Sequence, residues 1–186
     1  MRIIAGEWRG RGLAAPKGDA TRPTADRTRE TLFSMLVSRL GSFEGLSVAD
    51  LFAGSGALGL EALSRGAARC LFVEQDPAAI QAIKANVQVF GARDRAVIQA
   101  HSVMALGAAR ESFDLILLDP PYGSGAGQVA IDRLRRLGWI GPQTWLSLET
   151  GASEAIALKG FDVMAERKVG KAKLALLRLA DEVAIS

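Results

Sequence analysis

Residues 50–59 of this 186-residue chain read Asp-Leu-Phe-Ala-Gly-Ser-Gly-Ala-Leu-Gly. The apolar run Leu46–Phe52 predicts a strand that leads into this stretch, and the segment 57–66 predicts a helix that leaves it. The glycines let the backbone turn sharply between the two elements and leave room for a ligand against the chain. The helix N-terminus adds N–H groups directed at the same place. The stretch therefore predicts the first strand, a ligand-binding loop and the first helix of an α/β sheet.

Strand-like and helix-like segments alternate along the rest of the chain. Predicted strands occupy 46–52, 69–74, 96–100, 113–118 and 145–149, and predicted helices occupy 57–66, 77–90, 102–108 and 125–137. Two further strand-like runs, Phe161–Lys168 and Lys171–Leu179, meet at Val169-Gly170 and predict an antiparallel hairpin. The pattern predicts the α/β class, with a doubly wound, Rossmann-like, mostly parallel seven-stranded sheet that ends in this hairpin.

The N-terminal segment differs from the rest in charge. Residues 1–40 contain eight Arg or Lys against four Asp or Glu, whereas the other 146 residues carry a net charge of −1. Residues 1–20 are typical of a short β-hairpin or arm, and Thr24 is expected to cap a helix that runs to about Leu40. We interpret residues 1–44 as an N-terminal arm on a domain of residues 45–186, the two forming one compact unit. The charge favours a polyanionic partner at this end, although a solvated arginine-rich surface has the same composition.

The composition also argues against several kinds of site. A single cysteine, Cys70, cannot form an internal disulfide, and together with a single histidine it makes an ordinary zinc site unexpected. No apolar run approaches the roughly 20 residues that span a bilayer, and the N-terminus lacks the apolar stretch of a signal peptide. We therefore expect a soluble, cytoplasmic protein with no membrane partner and no metal.

Two carboxylates flank the glycine loop and indicate the kind of ligand. Glu74 ends the second predicted strand about 20 residues after the loop, where a carboxylate accepts hydrogen bonds from ribose hydroxyls. The glycine pattern with Glu74 would also suit a dinucleotide. Asp50, however, lies four residues before the first glycine, and the loop contains no Lys or Arg for a phosphate. A carboxylate there suits a positively charged amino acid moiety better than a pyrophosphate.

A second motif, Asp119-Pro120-Pro121-Tyr122, directly follows the strand predicted at 113–118. Because ligand sites in open α/β sheets lie beyond the carboxyl ends of strands, this motif is expected beside the glycine loop. Two prolines remove two N–H donors, so that the Asp119 carboxylate and the Pro120 carbonyl can accept both hydrogens of an exocyclic amino group. Tyr122 offers a face on which a planar base can stack. The motif predicts methylation of an amino nitrogen.

These motifs resemble those of class I S-adenosylmethionine methyltransferases. The loop with Asp50 and Glu74 is similar to their motifs I and II, and the Asp-Pro-Pro-Tyr stretch is similar to their motif IV for amino methylation. Residues Arg2–Leu13 and the stretch from Thr21 through Arg27 to Phe33 resemble the bacterial 16S ribosomal RNA guanine-N2 methyltransferase family, RsmD. The likeness runs from residue 2 to the final hairpin.

The resemblance implies a reaction and a set of partners. It implies direct transfer of a methyl group from S-adenosylmethionine to guanine N2 of 16S ribosomal RNA, free or in the small ribosomal subunit, with S-adenosylhomocysteine as product and no metal. A monomer is expected. The residues implied are catalytic (Asp119, Pro120, Tyr122), cofactor-binding (Thr24, Arg27, Asp50, Phe52, Gly54, Ser55, Gly56, Glu74, Gln75, His101, Ser102) and RNA-binding (Arg9, Arg11, Arg22). One departure stands out: many methyltransferases have Asp or Asn after the third strand, where this chain has His101-Ser102.

Other functions remain open on the sequence alone. The same chemistry would serve adenine or cytosine in another RNA or in DNA, or a glutamine side chain. A nucleotide-binding oxidoreductase would share the glycine loop, but it has no use for the Asp-Pro-Pro-Tyr motif. A non-catalytic RNA-binding scaffold would keep the fold without needing Asp50, Glu74 and Asp119 together.

Overall fold

The computed structural model describes residues 1–17 and 23–181, except for the side chains of Pro23 and Thr24. Arg22 and the side chain of Thr24, both predicted site residues, lie outside that description. Among the described residues, no helix has the length and apolar character needed to cross a membrane.

Within the described ranges, seven strands form one sheet in the order β3-β2-β1-β4-β5-β7-β6. The strands are β1 (Ser47–Leu51), β2 (Arg69–Glu74), β3 (Ala96–Ala100), β4 (Leu115–Leu118), β5 (Trp145–Gly151), β6 (Phe161–Val169) and β7 (Ala172–Leu179). The first five strands are parallel, and β7 pairs antiparallel with both β5 and β6. The predicted doubly wound sheet with its antiparallel C-terminal hairpin is confirmed.

In the part of the chain that the structure describes, four α-helices accompany the sheet: α1 (Pro23–Leu40), α2 (Ala57–Ser64), α3 (Pro77–Val89) and α4 (Ala126–Arg136). One hydrophobic cluster joins α1, α2 and α3 to one face of the sheet, and a second cluster joins α4 to the other face. β4 serves both clusters, because Leu115 and Leu117 point to the first and Ile116 and Leu118 to the second. β1 and β4 are neighbours although two other strands intervene in the sequence, so the carboxyl ends of these two strands open a crevice between them.

The start of α3 shows how local sequence sets an element. The Asp76 carboxylate accepts a hydrogen bond from the Ala79 N–H at 2.8 Å, and Pro77 occupies the first turn, where its missing N–H costs nothing. The apolar side chains Ile80, Ile83 and Val87 are buried, as their helical spacing predicts.

Some predicted boundaries were wrong. The helix expected at 102–108 is a three-residue 3-10 turn, Val103–Ala105, because the chain returns to an extended conformation at Leu106. β5 continues two residues further than predicted, to Gly151, because β7 pairs with it to that point. β4 begins two residues later than predicted, at Leu115. The hairpin turn lies at Gly170-Lys171, because Val169 pairs with Ala172.

The N-terminal arm folds back on itself as a short, irregular hairpin and packs its turn against α2. An antiparallel bridge joins Arg2 and Gly12, and beside it the Ile3 N–H donates to the Arg11 carbonyl and the Leu13 N–H to the Met1 carbonyl, both at 3.0 Å. Other N–H groups nearer the turn bond to α2 instead. The Glu61 carboxylate accepts from the N–H groups of Ile4 and Ala5 at 2.9 and 3.0 Å, and the Ser64 carbonyl accepts from the Glu7 N–H at 2.8 Å. At Gly6, with φ +86°, an added Cβ would lie 1.9 Å from that carbonyl oxygen, so the arm approaches α2 as closely as only glycine permits. The arm's apolar side chains Ile3, Trp8 and Leu13 are buried in the same cluster as α1 and the sheet.

Candidate active site

A cleft of about 800 Å³ lies at the carboxyl edge of the sheet, between the ends of β1 and β4. Leu51 pairs with Leu118 at the last position of both strands, so the glycine loop and Asp119 leave the sheet side by side. The cleft is lined by the arm (Met1, Ala15, Pro16), by α1 (Ala25, Thr28, Arg29, Leu32), by the segment from the end of β1 to the start of α2 (Asp50, Phe52, Ala53, Gly54, Ser55, Ala57, Leu58), by Asp119, Tyr122 and Glu149, and by the β6–β7 hairpin (Val169, Gly170, Lys171, Ala172).

The loop after β1 combines two kinds of glycine. Gly54 has φ +57° and an added Cβ there would meet nothing within 4 Å, so the backbone is open toward the cleft. Gly59 lies in α2, where an added Cβ would come within 2.4 Å of a Phe72 ring carbon. Gly54 therefore serves the left-handed turn and leaves space beside it, whereas Gly59 permits α2 to pack against β2. Phe52 also has a positive φ, of 59°, which marks a locally strained backbone at this edge.

Asp50 is fully buried at the end of β1. Its Oδ2 accepts a hydrogen bond from the Gly59 N–H at 2.9 Å, which fixes the start of α2 against the strand. Within the part of the chain that the structure describes, its Oδ1 is buried without a hydrogen-bond partner. Burial raises the pKa of Asp50 well above its usual range, and the charges of Asp119 and Glu74 add to this. A buried acceptor with no partner beside a cleft is the environment that a ligand donor would satisfy.

Glu74 has a role that its sequence position did not reveal. Its Oε2 accepts from the Gly54 N–H at 2.8 Å, and its Oε1 accepts from the N–H groups of Gln75 and Asp76 at 2.8 and 3.0 Å. The carboxylate thus holds the glycine loop to the end of β2. A carboxylate offers about four acceptor positions, so these three bonds leave capacity for a ligand hydroxyl.

The Asp-Pro-Pro-Tyr segment continues β4 into the cleft. The Asp119 N–H donates to the Leu51 carbonyl at 3.4 Å, and the side chain is exposed to the cleft but surrounded by protein. The surrounding protein limits the contact of the charged carboxylate with water and so disfavours its ionisation. This burial, and secondly the charge of Glu149, raise the pKa of Asp119 to about 7. Pro120 is buried against Gly127, where an added Cβ would lie 2.9 Å from the Pro120 Cγ. Close packing against α4 therefore holds the segment in place.

Tyr122 and Glu149 form a pair at the mouth of the cleft. The Tyr122 side chain is half exposed, and its hydroxyl donates to Glu149 Oε1 at 2.5 Å. Burial raises the pKa of Glu149, and the hydrogen bond from Tyr122 opposes this rise. Burial and the bond to Glu149 raise the pKa of Tyr122, so the hydroxyl keeps its proton. The sequence analysis did not predict Glu149 as a site residue. The signal that would have found it is a carboxylate at the end of a predicted strand, on the same edge as Asp119.

The other predicted cofactor residues are distributed around this edge. Of those that the structure describes, Phe52, Gly54 and Ser55 line the cleft with Asp50, whereas Gly56, Glu74, Gln75, Arg27, His101 and Ser102 do not. Gln75 and Arg27 are exposed. The His101 ring Nδ1 lies 3.1 Å from the Ser102 carbonyl oxygen, and the Ser102 hydroxyl accepts from the Met104 N–H at 3.2 Å. The bond to Ser102 caps the 3-10 turn.

The predicted RNA contacts lie on the arm. Arg9 is exposed. The Arg11 guanidinium donates to the Val89 carbonyl at 2.8 Å and lies 4.6 Å from the centre of the Phe90 ring, so it also ties the arm to the end of α3. In the described residues no group of three or more His, Cys, Asp or Glu side chains could hold a metal ion.

Comparison with known proteins identifies the family. Residues 1–178 match the family described as "Conserved hypothetical protein 95". The Ribosomal RNA small subunit methyltransferase D of Escherichia coli strain K12 is 37% identical over 150 residues, which cover 81% of this chain and 74% of the relative. This chain belongs to the RsmD family.

A second relative and a solved structure also resemble the chain over most of its length. The Ribosomal RNA small subunit methyltransferase D of Haemophilus influenzae is 38% identical over 154 residues, covering 81% of this chain and 78% of the relative. The solved structure of yhhF from Escherichia coli shares 31% identity with a TM-score of 0.83, covering 96% of this chain and 97% of that one. This chain therefore has the class I methyltransferase fold.

Proposed function

We propose that this protein is an S-adenosylmethionine-dependent methyltransferase that acts on the exocyclic N2 amino group of a guanine in 16S ribosomal RNA. The observation that carries the proposal is the position of Asp119. Its carboxylate enters the same cleft as the glycine loop, one residue beyond the paired ends of β1 and β4.

The cleft suits S-adenosylmethionine in size and in donor and acceptor groups. Its volume of about 800 Å³ falls within the range of roughly 300–1,000 Å³ that small-molecule sites occupy. The unpartnered Asp50 Oδ1 would accept from the ammonium group of the methionine part, and the open backbone at Gly54 leaves room beside it. Glu74 has acceptor capacity for a ribose hydroxyl. We retain Thr24, Arg27, Gln75, His101 and Ser102 as further candidates for cofactor contacts.

The bound cofactor supplies an electrophilic sulfonium methyl group and thereby the activation for transfer. The protein's part is to place the amine. The Asp119 carboxylate and the Pro120 carbonyl accept the two amine hydrogens, which directs the nitrogen lone pair away from them. The Asp119 charge also stabilises the positive charge that grows on the nitrogen. The exposed ring of Tyr122 provides a stacking face for the base.

The identity of the base and of the RNA rests on the family. Relatives that carry the name Ribosomal RNA small subunit methyltransferase D cover most of the chain. The Asp-Pro-Pro-Tyr segment taken alone supports amino methylation of any planar base that carries an exocyclic amine. Because the chain belongs to the RsmD family, we extend the proposal from amino methylation in general to methylation of guanine in 16S ribosomal RNA. We also expect the protein to act in the cytoplasm as a monomer without a metal.

One experiment tests the proposal directly. The protein is incubated with S-adenosylmethionine labelled in the methyl group and with 16S ribosomal RNA or small subunits from cells that lack the modification. The RNA is then digested and the labelled nucleoside identified. N2-methylguanosine supports the proposal. Labelled N6-methyladenosine or N4-methylcytidine would assign the other bases, and a lack of label with both substrates would contradict the proposal.

A further inference from the structure

Glu149 lies next to Asp119 on the neighbouring strand, and its role in the site is not explained by amino-group recognition. Leu118 of β4 pairs with Leu148 of β5, so the two carboxylates follow partners in register. Adjacent strands are about 4.8 Å apart, which places the two residues side by side at the sheet edge. Both line the same cleft.

The Glu149 carboxylate is held in a defined orientation. The Tyr122 hydroxyl donates to its Oε1 at 2.5 Å, and the side chain is half-buried in β5, two residues before the strand ends. A carboxylate has about four acceptor positions, so this bond leaves capacity at Oε2 for a donor in the cleft. The Lys171 and Arg29 side chains also line the cleft, and Arg29 is engaged with Asp26 and with the Arg2 carbonyl.

Two adjacent carboxylates match only one kind of base edge. The Watson–Crick edge of guanine presents N1–H beside the N2 amino group, so that all of its hydrogens there face acceptors. Adenine N1 and cytosine N3 instead present a lone pair beside the amino group, and a carboxylate facing that lone pair is repelled and left without a donor. The pair therefore discriminates among bases that all carry an exocyclic amine.

We propose that Glu149 accepts a hydrogen bond from N1–H of the target base, while Asp119 and the Pro120 carbonyl hold the N2 amino group, and that Glu149 thereby selects guanine. The inference rests on the proposed function and adds a base-specificity residue to it. The Glu149 contact to Tyr122 orients the carboxylate, and the contact to the base provides the selection.

The test compares guanine with 2-aminopurine at the target position. 2-Aminopurine keeps the 2-amino group but has a lone pair at N1, so it lacks only the edge that Glu149 is proposed to read, together with the O6 atom. Small subunits are reconstituted with 16S RNA that carries either base at the methylated position, installed by ligation of a synthetic segment. Single-turnover rates are measured for both substrates.

For the wild-type protein, guanine is expected to react at least ~10²-fold faster, since a site built around a donor rejects analogues that lack it. Glu149→Gln is expected to slow guanine methylation by ~10–100-fold, in line with loss of a charged hydrogen bond. The same variant should methylate 2-aminopurine at the wild-type rate or faster, because the amide can donate to N1. The preference ratio should then fall to within about tenfold of unity.

Tyr122→Phe provides the matched control, because it removes the hydroxyl that contacts Glu149 and keeps the carboxylate and the aromatic face. If Glu149 acts only by positioning Tyr122, this variant will change the ratio as much as Glu149→Gln does, and the inference is overturned. Because Tyr122→Phe loses the bond that orients Glu149 but keeps its carboxylate, some loss of preference is expected, and a ratio at least ~10-fold above that of Glu149→Gln supports direct contact with the base. Cofactor affinity by calorimetry and the melting temperature of each variant show whether the fold and the cofactor site persist.

The wild-type protein alone can already overturn the inference, whether or not the variants fold. Equal rates on guanine and 2-aminopurine would show that no group reads N1–H. That result, with N2-methylguanosine formed normally, would leave the proposed function in place and remove only the role of Glu149. Failure of the wild-type protein to form N2-methylguanosine would overturn both.

Discussion

Two pairs of carboxylates stand at the same edge of the sheet, and they differ in what they bind. Asp50 and Glu74, at the ends of β1 and β2, accept four backbone N–H groups between them and so hold the glycine loop. Asp119 and Glu149, near the ends of β4 and β5, line the cleft beside Tyr122, and burial raises the pKa of both. The first pair anchors the backbone of the site and keeps only part of its acceptor capacity for a ligand, whereas in the described part of the chain the second pair accepts from no backbone N–H. Identical chemical groups therefore have distinct roles that follow from their hydrogen bonds.

The largest expected effect comes from Asp119. Asp119→Ala should lower the single-turnover rate of methyl transfer by about 10²–10³-fold, the usual size of a lost electrostatic contact at a reacting group. The dissociation constant for S-adenosylmethionine, measured by calorimetry, should stay within about twofold of wild type. Asp119→Asn is the matched control because it keeps one acceptor oxygen in the same place. An undiminished rate of methyl transfer by Asp119→Ala would contradict the proposal that Asp119 binds the amino group of the base.

Glu74 should show the opposite separation of binding from chemistry. Glu74→Ala removes the acceptor of the Gly54, Gln75 and Asp76 N–H groups and of the proposed ribose contact, each charged hydrogen bond being worth ~1.5–3 kcal/mol. The dissociation constant for the cofactor should rise by ~10–100-fold, and the melting temperature should fall because the loop loses its anchor. Transfer at saturating cofactor should fall far less than in Asp119→Ala. An unchanged dissociation constant would show that Glu74 does not contribute to cofactor binding, and the two carboxylate pairs would then not divide into cofactor binding and methyl transfer.

The pH dependence of the methyl-transfer rate should follow the ionisation of Asp119 in the second pair. The pKa of Asp119 is raised to about 7 in the folded protein, so the carboxylate that accepts the amine hydrogens is ionised only above that pH. The transfer rate at saturating substrates should fall by up to about tenfold per pH unit below 7 and level off above 8. The sign for stability is opposite to that of an ordinary ion-paired carboxylate: the folded state binds this proton more tightly, so the contribution is favourable at low pH and is lost as pH rises through 7. A rate that is flat from pH 5.5 to 8.5 would contradict ionisation of Asp119 as the controlling step.

The smallest effect is expected on the arm, away from both pairs. Arg9→Gln should reduce the slope of log affinity for RNA against log salt by about one, because one phosphate contact is lost. Arg11→Gln should reduce the slope similarly and should also lower the melting temperature, since Arg11 bonds to Val89 and lies over the Phe90 ring. Filter binding across a salt series and thermal unfolding measure the two quantities. A double variant with the wild-type slope would show that the arm is not an RNA contact.

The outcome of the sequence predictions separates local from long-range features. Apolar runs, glycines and their spacing predicted the strand, loop and helix around residues 46–64. The same signals predicted the succession of the seven strands along the chain, because they act over a few residues. The attachment of the N-terminal arm to α2 did not follow, because the N–H groups of Ile4, Ala5 and Trp8 donate to Glu61 and Ser64, more than 50 residues away in sequence. No local pattern in the arm contains that information.

The candidate site divides in the same way. The sequence by itself determined which residue types stand at the ends of β1, β2 and β4, and the two motifs carry the expectation of amino methylation. Only the tertiary structure decided that Glu149 lies beside Asp119 and that Glu74 is bonded to the glycine loop. The physical reason is that sheet register and crossover connections, which no single segment specifies, set which strand ends are adjacent, and adjacency determines whether a carboxylate binds the backbone or faces a ligand.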